Sequence, residues 1–229
     1  MLKEICQFVE EIYKLISDKG TLFYGPINVL PPNGIYLFFE KGQKILMGNR
    51  EFDRVVRIGI NEKPNNFGKR IREHYRGNIE GSVFRENIGW ALLERDGYEP
   101  KNLYKTKANY KKQCSGGPLE TLISKYFSEA LTFKAFAIQY EKLVEYEKIL
   151  TMTFSIRYQY KIWRGELDIK NWLGLYSYSR RDKIKKSGLW NCENVILINN
   201  FETLVKLNGL SIHSFEKVLR ELSQKIVCL

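Results

Sequence analysis

Arg70 and His74 stand four residues apart in the run Lys69-Arg70-Ile71-Arg72-Glu73-His74. On a helix, residues at i and i+4 occupy neighbouring turns, so a guanidinium and an imidazole project from one face. A carboxylate raises a second question. Leu143, Tyr146, Leu150 and Phe154 lie at helical spacing, and Glu147 falls among them, four after Leu143 and three before Leu150. A carboxylate on an apolar stripe costs several kcal/mol unless it is paired or holds a metal; otherwise its stem is buried at a rim and its head is in water. Two basic stretches complete the set. Lys101, Lys105, Lys107, Lys111 and Lys112 interleave with Tyr104 and Tyr110, and Arg180, Arg181, Lys183, Lys185 and Lys186 follow one another closely. Cations mixed with aromatic rings suit phosphate contact and base stacking. Phosphodiester hydrolysis needs an activated water, charge stabilisation on the phosphoryl oxygens and help for the departing oxygen. These residue types can supply each of them.

Positioning such groups requires elements, and the hydrophobic pattern indicates an α+β fold. Ile35–Phe39, Arg54–Ile60 and Phe133–Gln139 read as three strands of one small sheet, antiparallel or mixed, with the first two as an antiparallel hairpin. Gly42 lies in the polar link and permits the turn. Phe67, Ile71 and Tyr75 share one face of the helix that carries Arg70 and His74. Further helices are expected over 2–18, from Ser82 as its cap to Leu93, over Leu119–Ala130, over Glu141–Phe154 and around Phe215–Leu222. Residues 157–168 show no clean period, and Val195–Ile198 reads as a last strand. The expected organisation is an N-terminal helix (1–30) packed on a core domain (31–199) with a basic insertion near 94–118, then a helical extension (200–229).

Composition bounds the function. The 229 residues carry a net charge of +11 and a pI near 9.4, which points to a polyanionic partner. Cys6, Cys114, Cys192 and Cys228 are scattered without a CxxC pair, and there are only two histidines, so neither a short-spaced zinc finger nor a histidine-rich metal cluster is expected. No signal-peptide pattern and no run of ~18 apolar residues occurs. The expectation is a reduced cytoplasmic protein without a membrane partner.

Three further features carry a resemblance. Gly34-Ile35-Tyr36 ends in a tyrosine on the first strand, Arg57-Ile58-Gly59 sits on the next, and Arg70-x-x-x-His74 follows on a helix. This order resembles the GIY-YIG nuclease family, with Arg57 where the second tyrosine would stand. The Ser82-Val83-Phe84-Arg85 helix and the Asn171-Trp172-Leu173-Gly174 … Ser187-Gly188-Leu189-Trp190-Asn191 tail are similar to one branch of that family. The resemblance implies Tyr36 as general base, Arg70 on the scissile phosphate, His74 as proton relay or phosphate ligand, and Glu147 holding one Mg²⁺ (or Mn²⁺). It also implies an amide in the site, best matched by Asn171 and less well by Asn191. A tyrosine is a poor base in water, and Arg57, Arg70 or the metal could lower its pKa. Lys69, Arg72, Lys105, Lys111, Arg180, Arg181, Lys183, Lys185 and Lys186 are the expected contacts to DNA, most naturally double-stranded. A homodimer is compatible with the sequence. The expectation is a Mg²⁺-dependent DNA endonuclease of a restriction or repair type. The rivals are a catalytically silent nucleic-acid-binding module on the same scaffold and a toxin-like protein that binds an acidic partner.

Overall fold

A computed structural model describes residues 1–18, 30–97, 117–176, 182–199 and 210–224. Three strands form its sheet: β1 (Gly34–Met47), β2 (Arg50–Ile60) and β3 (Leu131–Ala137). Their order is β2-β1-β3 and both pairings are antiparallel. The α-helices among the described residues are α1 (Leu2–Asp18), α2 (Phe67–Arg76), α3 (Val83–Arg95), α4 (Pro118–Ala130), α5 (Leu143–Trp163), α6 (Asp182–Ser187) and α7 (Ile212–Gln224). None of the described helices is long and apolar enough to cross a membrane.

The alternation of side chains along β1 builds the layers. Ile35, Leu37 and Phe39 enter a core shared with α1, α5 and α7, whereas Tyr36 and Phe38 enter a second core with α2, α3 and α4. The sheet is therefore buried on both faces, which accounts for the near-continuous burial from Gly34 to Glu40. The amphipathic pattern of residues 2–18 is met by this packing: Ile5, Phe8, Ile12 and Tyr13 are all buried, and Phe8 stacks on Phe215 of α7. Each such side chain contributes about 1.5–3 kcal/mol of burial.

The hairpin turns later than its glycine pattern indicates. Met47 pairs with Arg50, and Gly48 at φ +57° supplies the left-handed position a two-residue turn needs. Gly42, at φ +81°, instead lies in an irregularity between Phe39 and Lys44, where β1 carries extra residues against β2. The expected strand Val195–Ile198 is also corrected: it belongs to no strand and has no ladder partner among the described residues. Two α5 side chains one turn apart satisfy its backbone instead. Ser155 accepts from the Ile196 amide (3.3 Å), and Gln159 accepts from the Ile198 amide (2.9 Å) and donates to the Ile196 carbonyl (2.6 Å). An apolar run of four reads as a strand by pattern, and a helix edge can satisfy the same polar groups. Helix α5 itself continues to Trp163, past the point where periodicity fades.

Glycine and tryptophan residues of the tail cover the free edge of β2. The Trp190 amide donates to the Val56 carbonyl at 2.7 Å, and the Asn191 side chain pairs with both the amide (3.0 Å) and the carbonyl (2.9 Å) of Ile58. Trp172 and Trp190 both donate from their indoles to one oxygen of buried Glu40, at 3.0 and 3.2 Å. Arg54, fully buried, reaches the Gly188 carbonyl and Gln43, with its guanidinium over the Trp172 ring. The tail thus seals an edge strand that would otherwise present unpaired backbone groups.

Candidate active site

The cluster begins with two glycines. Tyr36 pairs with Gly59 on one side and Ala135 on the other. A Cβ at Gly59 would stand 2.2 Å from the Tyr36 hydroxyl oxygen, so the ring lies where only glycine leaves room. At Gly34 a Cβ would meet the Phe136 carbonyl at 2.5 Å, so β3 closes on β1 there for the same reason. The tyrosine's ring is thereby aimed along the α2 face of the sheet.

Helix α2 meets it. The Tyr36 hydroxyl and His74 Nε2 are 2.8 Å apart, and His74 Nδ1 is 2.9 Å from the Ser82 hydroxyl. Ser82 caps α3, its oxygen accepting from the Arg85 amide at 3.2 Å. The imidazole is fully buried, with Phe38, Phe84 and Phe127 rings around it. That burial, helped by Arg70, Arg57 and Arg85, pushes its pKa well below the usual histidine range, so His74 is neutral at physiological pH. Arg85 fixes the end of α2: it donates to the His74 carbonyl at 2.8 Å and to Glu120 and Ser124 of α4, also at 2.8 Å.

Two guanidinium groups lie near the pair, Arg70 beside the phenol and Arg57 within electrostatic reach of His74. Arg70 donates to the Gly81 carbonyl (3.1 Å) and Glu73 (3.2 Å) and pairs with Glu62 at 3.4 Å. Burial works against its charge, but Tyr36, Glu62 and Glu73 outweigh this, and its pKa is raised. Arg57 donates to the Trp190 carbonyl at 3.1 Å and lies over the Phe84 ring. The Nε of each arginine is buried without a hydrogen-bond partner among the described residues.

Glu147 is half-buried on α5, and burial raises its pKa, with Arg57 and Asn194 opposing the shift and Glu193 adding to it. Asn194 donates to Glu147 at 3.1 Å from a left-handed backbone, φ +58°, which asparagine tolerates better than other side chains. Arg57 is the cation that both His74 and Glu147 feel.

Of the residues singled out from sequence, Tyr36, His74 and Arg70 come together, and Arg57 joins them to Glu147. Asn171 stands exposed in the turn before Trp172, while Asn191 is engaged on β2; the amide at Glu147 is that of Asn194. Ser82 was legible as a cap but not as the neighbour of His74. Lys69, Arg72, Lys183 and Lys186 are exposed, Lys186 pairing with Asp182, and Lys185 pairs with Glu94 at 3.6 Å. Lys105, Lys111, Arg180 and Arg181 lie outside the described residues.

No group of three histidine, cysteine, aspartate or glutamate side chains forms a metal cluster among the described residues. A single carboxylate beside an amide is still an all-oxygen donor set, and it suits Mg²⁺, which takes one or two carboxylates together with waters and substrate phosphates. The residues fit that ion.

A tyrosine on a three-stranded antiparallel sheet, hydrogen-bonded to a histidine and with Arg70 beside it, forms the centre of an α+β domain. The family model of the GIY-YIG domain matches residues 2–214, and the chain belongs to that family, whose nucleases act on DNA and generally use divalent metals. No curated protein and no solved structure matches the chain.

Proposed function

We propose that the protein is a Mg²⁺-dependent DNA endonuclease of a restriction or repair type. The observation that carries this reading is the Tyr36–His74 pair under Arg70, with Arg57 facing Glu147 alongside. In the proposed reaction the Tyr36 oxygen takes a proton from the attacking water. Arg70, whose side chain is 12% exposed, and Arg57, half-buried, bind phosphoryl oxygens and stabilise the charge that develops there. Glu147, with Asn194 beside it, would hold the Mg²⁺ (or Mn²⁺), which supplies positive charge at the scissile phosphate. The attacking water gives its proton to the Tyr36 phenolate, a new P–O bond forms as the bridging P–O bond breaks, and the leaving oxygen takes a proton from solvent and departs as an alcohol.

His74 acts within the protein. Both of its nitrogens are engaged and its ring is fully buried, which supports a role in holding Tyr36 over one as a phosphate ligand. Glu62 and Glu73 occupy Arg70 in the absence of substrate, and a phosphate would displace the more exposed Glu62.

One feature favours the silent-module reading: Arg57 replaces a hydroxyl that the family pattern carries. Incubation of supercoiled plasmid with the purified protein, in Mg²⁺ and in EDTA, separates the two. The nuclease reading predicts nicking or linearisation in Mg²⁺ alone. Glu147→Gln should bind DNA as the wild type does, melt at the same or a higher temperature because a desolvated carboxylate is removed, and lose cleavage by several orders of magnitude. Full cleavage by that variant would remove Glu147 from the site.

A further inference from the structure

We propose that Ser82 is a positioning residue whose hydroxyl donates to His74 Nδ1, fixing the tautomer in which Nε2–H donates to the Tyr36 oxygen. The inference rests on the reading of Tyr36 as the base and extends the site by one residue.

The chain Ser82–His74–Tyr36 has two hydrogen bonds, at 2.9 and 2.8 Å. Three protons compete for them: two from the hydroxyls and one from the neutral imidazole. One is left over at an end. If His74 Nδ1 donated, the Ser82 oxygen would accept twice, from His74 and from the Arg85 amide, and its own proton would have no acceptor among the described residues. Ser82 is 1% exposed, sealed under the first turn of α3, so no water relieves it. An unsatisfied buried donor costs about 1–3 kcal/mol.

The opposite direction leaves the spare proton on the Tyr36 oxygen, itself 1% exposed and beside the Arg70 guanidinium, so the neutral chain has one unsatisfied donor at either end and the deprotonated form decides between them. The Tyr36 proton is the one a general base must give up before it can take one from water. Once it has passed to solvent, the chain closes with every group satisfied: Ser82 donates to Nδ1, and Nε2–H donates to a negatively charged oxygen that Arg70 also faces. In the other tautomer that oxygen would confront the lone pair of Nε2. The second nitrogen's partner sets which nitrogen faces the reaction, and here that partner is the cap of α3.

The chain contains two histidines, His74 and the exposed His213, so ¹⁵N-histidine NMR of the full-length protein reads the tautomer directly, with His213→Gln assigning the signals. Wild-type His74 is expected to carry its proton on Nε2. Ser82→Asp keeps an oxygen cap for the Arg85 amide and offers Nδ1 no proton; it should move the proton to Nδ1 and lower kcat about 10- to 100-fold with KM unchanged. Ser82→Thr, which keeps both cap and donor, should restore tautomer and rate. A wild-type His74 protonated on Nδ1, or a Ser82→Asp protein with its tautomer unmoved, overturns the proposal. A wild-type protein with the Nε2–H tautomer but no cleavage of any DNA would sink the nuclease reading and leave the role of Ser82 standing.

Discussion

At the scale of single residues, His74 couples the site to stability. Its folded pKa lies well below the ordinary 6.5 because the ring is buried among Phe38, Phe84 and Phe127 near three arginines. Between the two pKa values the unfolded chain binds a proton that the native state refuses, so stability falls as pH drops through 6.5, by up to about 1.4 kcal/mol per pH unit. Glu40 and Glu147, whose pKa values are raised by burial, act in the opposite sense at the acid end. The difference between wild type and His74→Phe cancels those contributions. Thermal melts from pH 7 to 5 should show the wild type losing stability relative to the variant; parallel curves would mean that His74 is not held neutral.

At the scale of elements, the two tripeptides are packing devices as much as motifs. Gly59 is an empty space over which the Tyr36 ring extends, and its backbone belongs to a strand pinned on both edges, by β1 and by Asn191. Gly59→Ala should therefore displace the ring, not the strand. It should lower stability by about 1–3 kcal/mol through overpacking and abolish cleavage while DNA binding persists. A cleavage assay beside a filter-binding curve measures both, and an active Gly59→Ala protein would show that the phenol's position is immaterial. The same scale shows what the sequence reveals. Period-two and period-3.6 runs are local, so the hairpin, the Arg70–His74 helix and the out-of-place Glu147 can be read directly. Contacts between distant segments cannot. Nothing near Ser82 indicates that its hydroxyl meets His74, and nothing near Asn194 indicates Glu147, 47 residues away. Gly42 and Gly48 are equally able to turn a chain, and only the pairing of Met47 with Arg50 decides between them. The tail motif looks catalytic from its polar residues, yet Trp172, Gly188, Trp190 and Asn191 chiefly seal the β2 edge and stabilise buried Glu40 and Arg54.

At the scale of the whole molecule, a net charge of +11 is a long-range attraction for nucleic acid. On α6, Lys183 and Lys186 are exposed, and the surface pair of Lys186 with Asp182 is too weak to withhold it from a phosphate. Replacing both by alanine should weaken binding on all DNA sequences alike and flatten the slope of log affinity against log salt by about one to two units. An unchanged slope would make α6 a solvated face.

The proposed reaction requires the Tyr36 oxygen to be the group that takes the proton from water. Tyr36→Phe removes that atom alone: the ring still fills the space over Gly59, and His74 still has Ser82. The decisive measurement is the single-turnover rate of plasmid cleavage at saturating protein in Mg²⁺, wild type against Tyr36→Phe. The predicted result is unchanged DNA affinity with cleavage slowed by about 10²- to 10⁴-fold. Cleavage by Tyr36→Phe at the wild-type rate would contradict it.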